Sequence, residues 1–168
     1  MDFIELVKNR YSVRKFTEQP VSEEQLQTLL TAAALAPTGK NVQDFHIYVL
    51  KSEEALAKAN DCTRCIYGAP LALLFCCDRD EGISIPTNNV DLPQVDTTIV
   101  MTHVMLAAAA LGLGSCWVAA FDEAKTRAAF DLPETRQPLG YLPLGYADAP
   151  PSPAHTASKE ISQLSEIL

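Results

Sequence analysis

Apolar residues recur along this chain in two different periods, and the period changes from segment to segment. Phe3, Ile4 and Val7 make one apolar face, with Asp2 and Glu5 spaced as a capping box, so a short first helix is predicted to end near Asn9. Ser22 and Gln25 form a second capping box. Leu26, Leu29, Leu30, Ala33 and Ala34 follow at helical spacing, and Pro37 stops that helix because the residue before a proline disfavours the α region. Phe45 to Leu50, rich in β-branched and aromatic residues, reads as a strand. Ser52 to Ala59 reads as a short helix whose early Glu53 and Glu54 suit the helix dipole.

Leu71 to Cys77 is an unbroken apolar run of strand length, which predicts a buried strand. Asp80 to Pro93 holds a glycine, prolines and asparagines and reads as a long loop, the kind that often serves as a lid or binding loop. Gln94 to Leu111 is the longest helix, Ser115 to Phe121 a strand, and Asp122 the cap of a helix running through Phe130. Asp131-Leu132-Pro133 ends that helix, Leu139 to Tyr146 is a last strand, and three prolines make Ala147 to Ala157 an extended tail. No repeat or interdomain linker interrupts residues 1–168, so one domain is expected, with helices packed on a central sheet.

Thr97 to Phe121 lacks Asp, Glu, Lys and Arg and is long enough to cross a bilayer. Gly112, Gly114 and Ser115 divide it, however, and the acidic flanks Asp96 and Asp122 lack the positive-inside bias. A buried helix, a turn and a buried strand account for it better than a membrane span.

Charge narrows the partners. The 168 residues carry a formal net charge of -8. Duplex nucleic acid and anionic membranes are repelled by such a chain, and an anionic ligand needs a pocket where basic residues converge. Met1 to Arg10 contains Asp2 and Glu5 and no apolar run, so no signal peptide is read there. Five cysteines, an odd number, point to reduced thiols and a cytoplasmic setting.

One segment supplies the convergence that an anion needs. Arg10, Ser12 and Arg14 alternate with Tyr11 and Val13, so an extended backbone puts the three polar side chains on one face and the other two towards a core. Two guanidiniums and a hydroxyl suit a phosphate. Spacing alone leaves open a solvated edge strand whose arginines pair with Glu18, Glu23 or Glu24. Cys62-Thr-Arg-Cys65 has the spacing of redox or metal pairs, but no second such pair accompanies it, and inert thiols are the favoured reading. His46, His103 and His155 show no ligand spacing, and His103 reads as a core or interface residue. No metal site is expected.

Four blocks taken together resemble the nitroreductase family: Arg10-Tyr-Ser-Val-Arg-Lys-Phe-Thr17, Ala36-Pro-Thr-Gly-Lys-Asn-Val-Gln43, Leu111-Gly-Leu-Gly-Ser-Cys-Trp-Val-Ala-Ala-Phe-Asp122 and Leu139-Gly-Tyr-Leu-Pro-Leu-Gly-Tyr146. They stand in the family's order and span almost the whole chain. The resemblance implies an α+β fold with a central mixed, largely antiparallel sheet flanked by helices, and a homodimer with two FMN sites at the interface. It implies that Arg10 and Ser12 hold the phosphate and ribityl end and that Arg14 lies near flavin N1 and O2. Pro37, Thr38, Asn41 and Gln43 match the loop that contributes to the other subunit's site. Val118, Ala119 and Ala120 match the stretch whose backbone amide faces flavin N5, and Lys159 stands where the family often has an arginine reaching the phosphate. Asp44-Phe45-His46 departs from the family, which often has a tryptophan there.

The implied activity passes hydride from NAD(P)H through flavin N5 to a nitroaromatic, a quinone or another electron-poor small molecule, with no side-chain general acid. Flavin chemistry without nitroreduction (dehalogenation or flavin degradation), a flavin store or sensor, and a thiol redox protein using Cys62 and Cys65 are the alternatives.

Overall fold

In the computed structural model, which describes residues 2–83 and 89–168, the elements in chain order are α1 (Phe3–Asn9), α2 (Glu23–Ala34), a 3-10 turn at Gly39–Asn41, β1 (Phe45–Leu50), α3 (Glu53–Cys62), β2 (Leu71–Asp78), α4 (Leu92–Ala110), β3 (Gly114–Ser115), α5 (Glu123–Phe130) and β4 (Arg136–Gly145), followed by 3-10 turns at Pro153–Thr156, which interrupts the expected extended tail, and at Ile161–Gln163. The four strands form one sheet in the order β1-β2-β4-β3, and every pairing between them is antiparallel. One isolated parallel bridge, Ser12 to Ser115, lays the basic segment along the outer edge of β3.

β2 explains the layering. Its residues from Leu71 to Cys77 are all buried, and the period of two sorts them. Leu71, Leu73 and Phe75 join the cluster built with Leu26, Leu29 and Ala33 of α2 and Val100, Met101, Val104 and Ala108 of α4. Ala72, Leu74 and Cys76 join the opposite cluster, with Ala59 and Cys62 of α3 and with Ile66, Val13 and Val118. A strand covered on both faces has no solvated side, hence its unbroken apolar run.

Local chemistry fixes the helix ends. The Ser22 hydroxyl accepts the Gln25 N–H, and the Gln25 side chain accepts the Ser22 N–H, completing the expected capping box. The box expected at Asp2 and Glu5 does not form; Asp2 makes no side-chain cap bond. α4 begins at Leu92, two residues before the sequence expectation, because Asp91 caps it and Pro93 fits the first turn, where a missing N–H costs nothing. α3 likewise runs on past Ala59 to Cys62.

The strand expected over Ser115 to Phe121 is shortened to two residues, and the cause is a proline on its neighbour. β3 and β4 pair Ser115 with Leu144, and the same register leads to Cys116 opposite Pro143 and Val118 opposite Tyr141. Cys116 N–H donates to the Pro143 carbonyl at 3.3 Å, but Pro143 has no N–H to return. The ladder lapses there and resumes at Val118 and Tyr141, which exchange bonds of 2.9 and 3.0 Å. Pro138 lies beside the register shift between Phe75 and Cys76 on β2, where a central proline is tolerated. Of the expected long loop, residues 84–88 lie outside the described residues. No helix among those described is long and apolar enough to cross a membrane.

Gly140 tests this packing. A Cβ at 140 would stand 2.8 Å from the Val118 carbonyl oxygen, a backbone atom that cannot swing away. Gly140→Ala is expected to lower unfolding stability by about 1–3 kcal/mol, as overpacking does; urea denaturation of both proteins measures it, and an unchanged midpoint contradicts the close approach.

Candidate functional site

The basic segment is locked to the sheet by its apolar residues. Val13 is 1% exposed, and its N–H donates to the Ser115 carbonyl at 2.9 Å. Its side chain occupies the space where a Cβ on Gly114 would stand, 2.5 Å from Cγ2, so the glycine is what lets the segment lie this close. Further along, Thr17 N–H donates to Tyr146 O and Asp148 N–H donates to Lys15 O. Arg10, Ser12 and Arg14 consequently leave the same face, as their spacing predicts.

A cavity of about 300 Å³ opens on that face, lined by Arg10, Ser12, Arg14, Tyr11, Ser152 and His155. Tyr11 and His155 belong together: the Tyr11 hydroxyl donates to Ala149 O at 2.8 Å, the rings lie 5.8 Å apart, and His155 Nε2 meets Lys8 O at 2.9 Å. The proline-rich tail is thereby folded back over the segment. The resemblance implies that the tail reaches the phosphate end through Lys159; it is His155 and Ser152 of that tail that line the cavity. Lys159 is exposed and lines none of the described cavities.

Neither Arg10 nor Arg14 has an ion pair among the described residues, so the edge-strand reading with partners Glu18, Glu23 or Glu24 is not what forms. Arg10 reaches the Met105 sulfur, at 3.8 Å, and Arg14 the Ser12 carbonyl, at 3.4 Å. In a chain of net charge -8 these are two uncompensated cations on one concave surface.

Val118, Ala119 and Ala120 emerge from the resumed ladder beside this face. Ala119 and Ala120 are exposed, and no hydrogen bond within the described residues occupies the N–H of either. The turn after α3 holds the stretch in place: Thr63 donates its hydroxyl to Ala120 O at 2.6 Å, and Asp122 N–H donates to Cys62 O at 2.9 Å.

The loop of Pro37, Thr38, Asn41 and Gln43 lies elsewhere, against the first turns of α4. Gln43 N–H donates to Thr38 Oγ1 at 2.9 Å, and the Gln43 amide donates to Ala34 O at 3.1 Å. Gly39 N–H donates to Asp96 Oδ2 at 2.8 Å. Lys40, Asn41 and Gln43 all sit at positive φ, 52°, 57° and 58°. Left-handed backbone is unfavourable for side chains other than glycine, least so for asparagine. Three such residues in one short loop mark a conformation imposed by its surroundings.

Burial and charge shape the titrating groups nearby. Burial, then the negative charge of Asp96, hold the Asp44 carboxyl above the usual carboxylate range, and the charge of Asp78 adds to it. Burial pushes the Cys76 thiol up to about 12, with Cys77 contributing. Burial also raises Cys77 and Cys116, the latter against the pull of Arg14. His103 is exposed on α4, its Nδ1 2.9 Å from Ile99 O, so it is not a core residue of this chain. No group of three or more metal-ligating side chains occurs among the described residues.

Comparison with known proteins gives the family and the fold. A family model described as "Nitroreductase family" matches residues 7–67 and 64–146. A protein of Methanothermobacter thermautotrophicus under the provisional name NADH dehydrogenase/NAD(P)H nitroreductase is 32% identical over 153 residues, covering 87% of this chain and 78% of its own length. A crystal structure of a nitroreductase family protein from Clostridium difficile 630 superposes with a TM-score of 0.93 at 36% identity, over 99% of this chain and 98% of the other. An FMN-dependent nitroreductase, also from Clostridium difficile, superposes at 0.78 with 26% identity over 88% of each chain.

The thiols allow a direct check of the site's burial. Cys62, Cys76, Cys77 and Cys116 are buried and Cys65 is half-buried. With an aromatic disulfide reagent, Cys65 alone is expected to react quickly in the native protein, and all five cysteines after unfolding in denaturant. Fast labelling of a second thiol contradicts the packing around the Cys62–Cys65 turn.

Proposed function

Because the chain belongs to the nitroreductase family, we propose that it is an FMN-dependent oxidoreductase that takes reducing equivalents from NAD(P)H and delivers them to a small electron-poor acceptor such as a nitroaromatic or a quinone. The observation that carries this reading is the uncompensated basic face of Arg10, Ser12 and Arg14 around one cavity in an acidic chain. The FMN and NAD(P)H in the relatives' names point the same way.

When bound, FMN supplies the hydride chemistry, accepting at N5 and donating from there. The chain's own residues bind and tune it. The Arg10 guanidinium and the Ser12 hydroxyl offer several donors to a phosphate monoester. Arg14, two residues on, brings a fixed cation towards the pyrimidine edge, where it favours the more negative reduced state. The unoccupied N–H groups of Ala119 and Ala120 are donors for the edge of the ring, and alanine side chains let the backbone come near.

Thr38 and Asn41 belong, in this reading, to the partner's cofactor. Asp96, which fastens their loop, lies nine residues before Met105, which Arg10 touches, so the two contacts are about 14 Å apart along the α4 axis. A second copy also accounts for exposed apolar side chains: Phe3, Ile4 and Val7 on α1, and Ile161, Leu164 and Ile167 in the tail that also carries Lys159.

Four measurements test the proposal. Flavin released by heat from the purified protein is expected to be FMN; FAD, or no flavin even after reconstitution, overturns it, and NAD(P)H oxidation with a nitroaromatic or quinone acceptor tests turnover. Arg14→Ala is expected to lower the flavin reduction potential more than it weakens binding, and an unchanged potential with lost binding moves Arg14 to the phosphate end. Arg10→Ala and Asn41→Ala are each expected to lower FMN affinity by about tenfold to a hundredfold, the scale of a lost charge-assisted or buried hydrogen bond. In mixed dimers one site then receives both defects and the other neither, so half of the sites recover near-native affinity. No recovery despite demonstrated subunit exchange refutes the shared site.

A further inference from the structure

The loop bearing Thr38 and Asn41 is fastened to the body of the chain through two buried acids. Asp44 is 0% exposed, and neither of its carboxyl oxygens receives a hydrogen bond from a donor among the described residues. Asp96, 3% exposed, faces it from the first turns of α4 and accepts the Gly39 N–H. The space around the pair is closed. A Cβ on Gly39 would stand 3.3 Å from Asp96 Oδ2 and 3.2 Å from the Ile83 side chain; one on Gly82 would stand 2.4 Å from Pro93 and 3.4 Å from Asp44 Oδ2.

The charged and titrating groups that face Asp44 are of the wrong sign or already engaged. Asp96 approaches from α4, and Asp78 and Cys77 from β2. Arg79, just beyond β2, is held in a two-point contact by Asp91 at 2.6 and 2.9 Å. Two ionised carboxylates buried together without a counter-ion are strongly disfavoured. A proton on one of them removes a charge and creates the one donor that can join the two groups.

We propose that Asp44 is protonated in the folded protein, that its O–H donates to Asp96, and that this pair positions the loop of Thr38 and Asn41 for the cofactor. Asp44 is thus a positioning residue, acting through Asp96 and Gly39 without touching the ligand. The cofactor part rests on the FMN reading above; the protonated pair does not.

The sign of the pH dependence follows. A carboxyl raised in the folded state favours the fastened loop fully below the ordinary carboxylate range, and that advantage is lost as pH rises through the raised value. FMN affinity is therefore expected to fall with rising pH, by at most about tenfold per unit for a single proton. Asp44→Asn has the same shape, donates a similar bond and cannot ionise, so its affinity is expected to stay flat with pH and to exceed that of the unaltered protein on the alkaline side.

Infrared spectroscopy of the flavin-free protein comes first, at about pH 6, where ordinary carboxyls are ionised. Absorption of a protonated carboxylic acid is expected, and it is expected to vanish in Asp44→Asn. No such band in the unaltered protein overturns the proposal whether or not the variant folds, and it is also the result if a bound cation neutralises an ionised pair or water solvates it. Hydrogen exchange at the Gly39 amide, corrected for the intrinsic pH dependence of exchange, is expected to lose protection as pH rises, and to be flat in Asp44→Asn and in Asp96→Asn. If the band and the protection behave so but FMN does not bind, the FMN reading fails and the acid pair stands. If FMN binds with the same pH slope in Asp44→Asn as in the unaltered protein, the positioning role fails.

Discussion

From Leu71 to Cys77 no side chain of β2 meets water, and most of the architecture follows from that burial. One face needs α2 and α4, the other needs α3 and the turn after it, and β4 must pair along the full length of the strand to satisfy its backbone. The middle of the sheet is thereby committed to packing. What remains for chemistry is the periphery: the segment laid on β3, the stretch after it, and the loop between α2 and β1. The first two are anchored largely by main-chain bonds, and the loop is held through Thr38, Gln43 and Asp96.

The placement of the available charge is what matters. In a protein of net charge -8, Lys8, Lys40, Arg64, Lys125 and Lys159 also lack an ion pair among the described residues, but Arg10 and Arg14 converge on one cavity. An acidic surface with one basic concavity repels polyanions at a distance yet favours a small anion that reaches the cavity, a combination that net charge alone conceals.

Much of this was legible in the residues, and the failures have physical causes. The alternation around Val13 and the box at Ser22 and Gln25 are local rules, and both hold because no tertiary contact opposes them. The strand expected to Phe121 failed because its ladder depends on a neighbour, Pro143, that lies more than twenty residues away and cannot return a bond. Pro93 read as the end of a loop because its use inside a first turn depends on Asp91 capping the helix. Asp44 read only as a departure from a family pattern; its isolation among Asp96, Asp78 and Cys77 is a property of three elements meeting. His155 and Ser152 reached the cavity by the same kind of long-range contact.

The gap that Pro143 opens in the ladder also bears on how the chain behaves in company. A strand continuous from Gly114 to Phe121 would offer a long row of outward N–H and C=O groups, the template on which extended chains from other molecules stack. Two residues of β3 are too short for that, and the parallel bridge from Ser12 already occupies their outer edge. Beyond the gap, Ala119 and Ala120 lie outside any strand, with no hydrogen bond on their N–H groups among the described residues. The missing N–H of Pro143, which leaves β3 only two residues long, therefore also guards this edge of the sheet against aggregation.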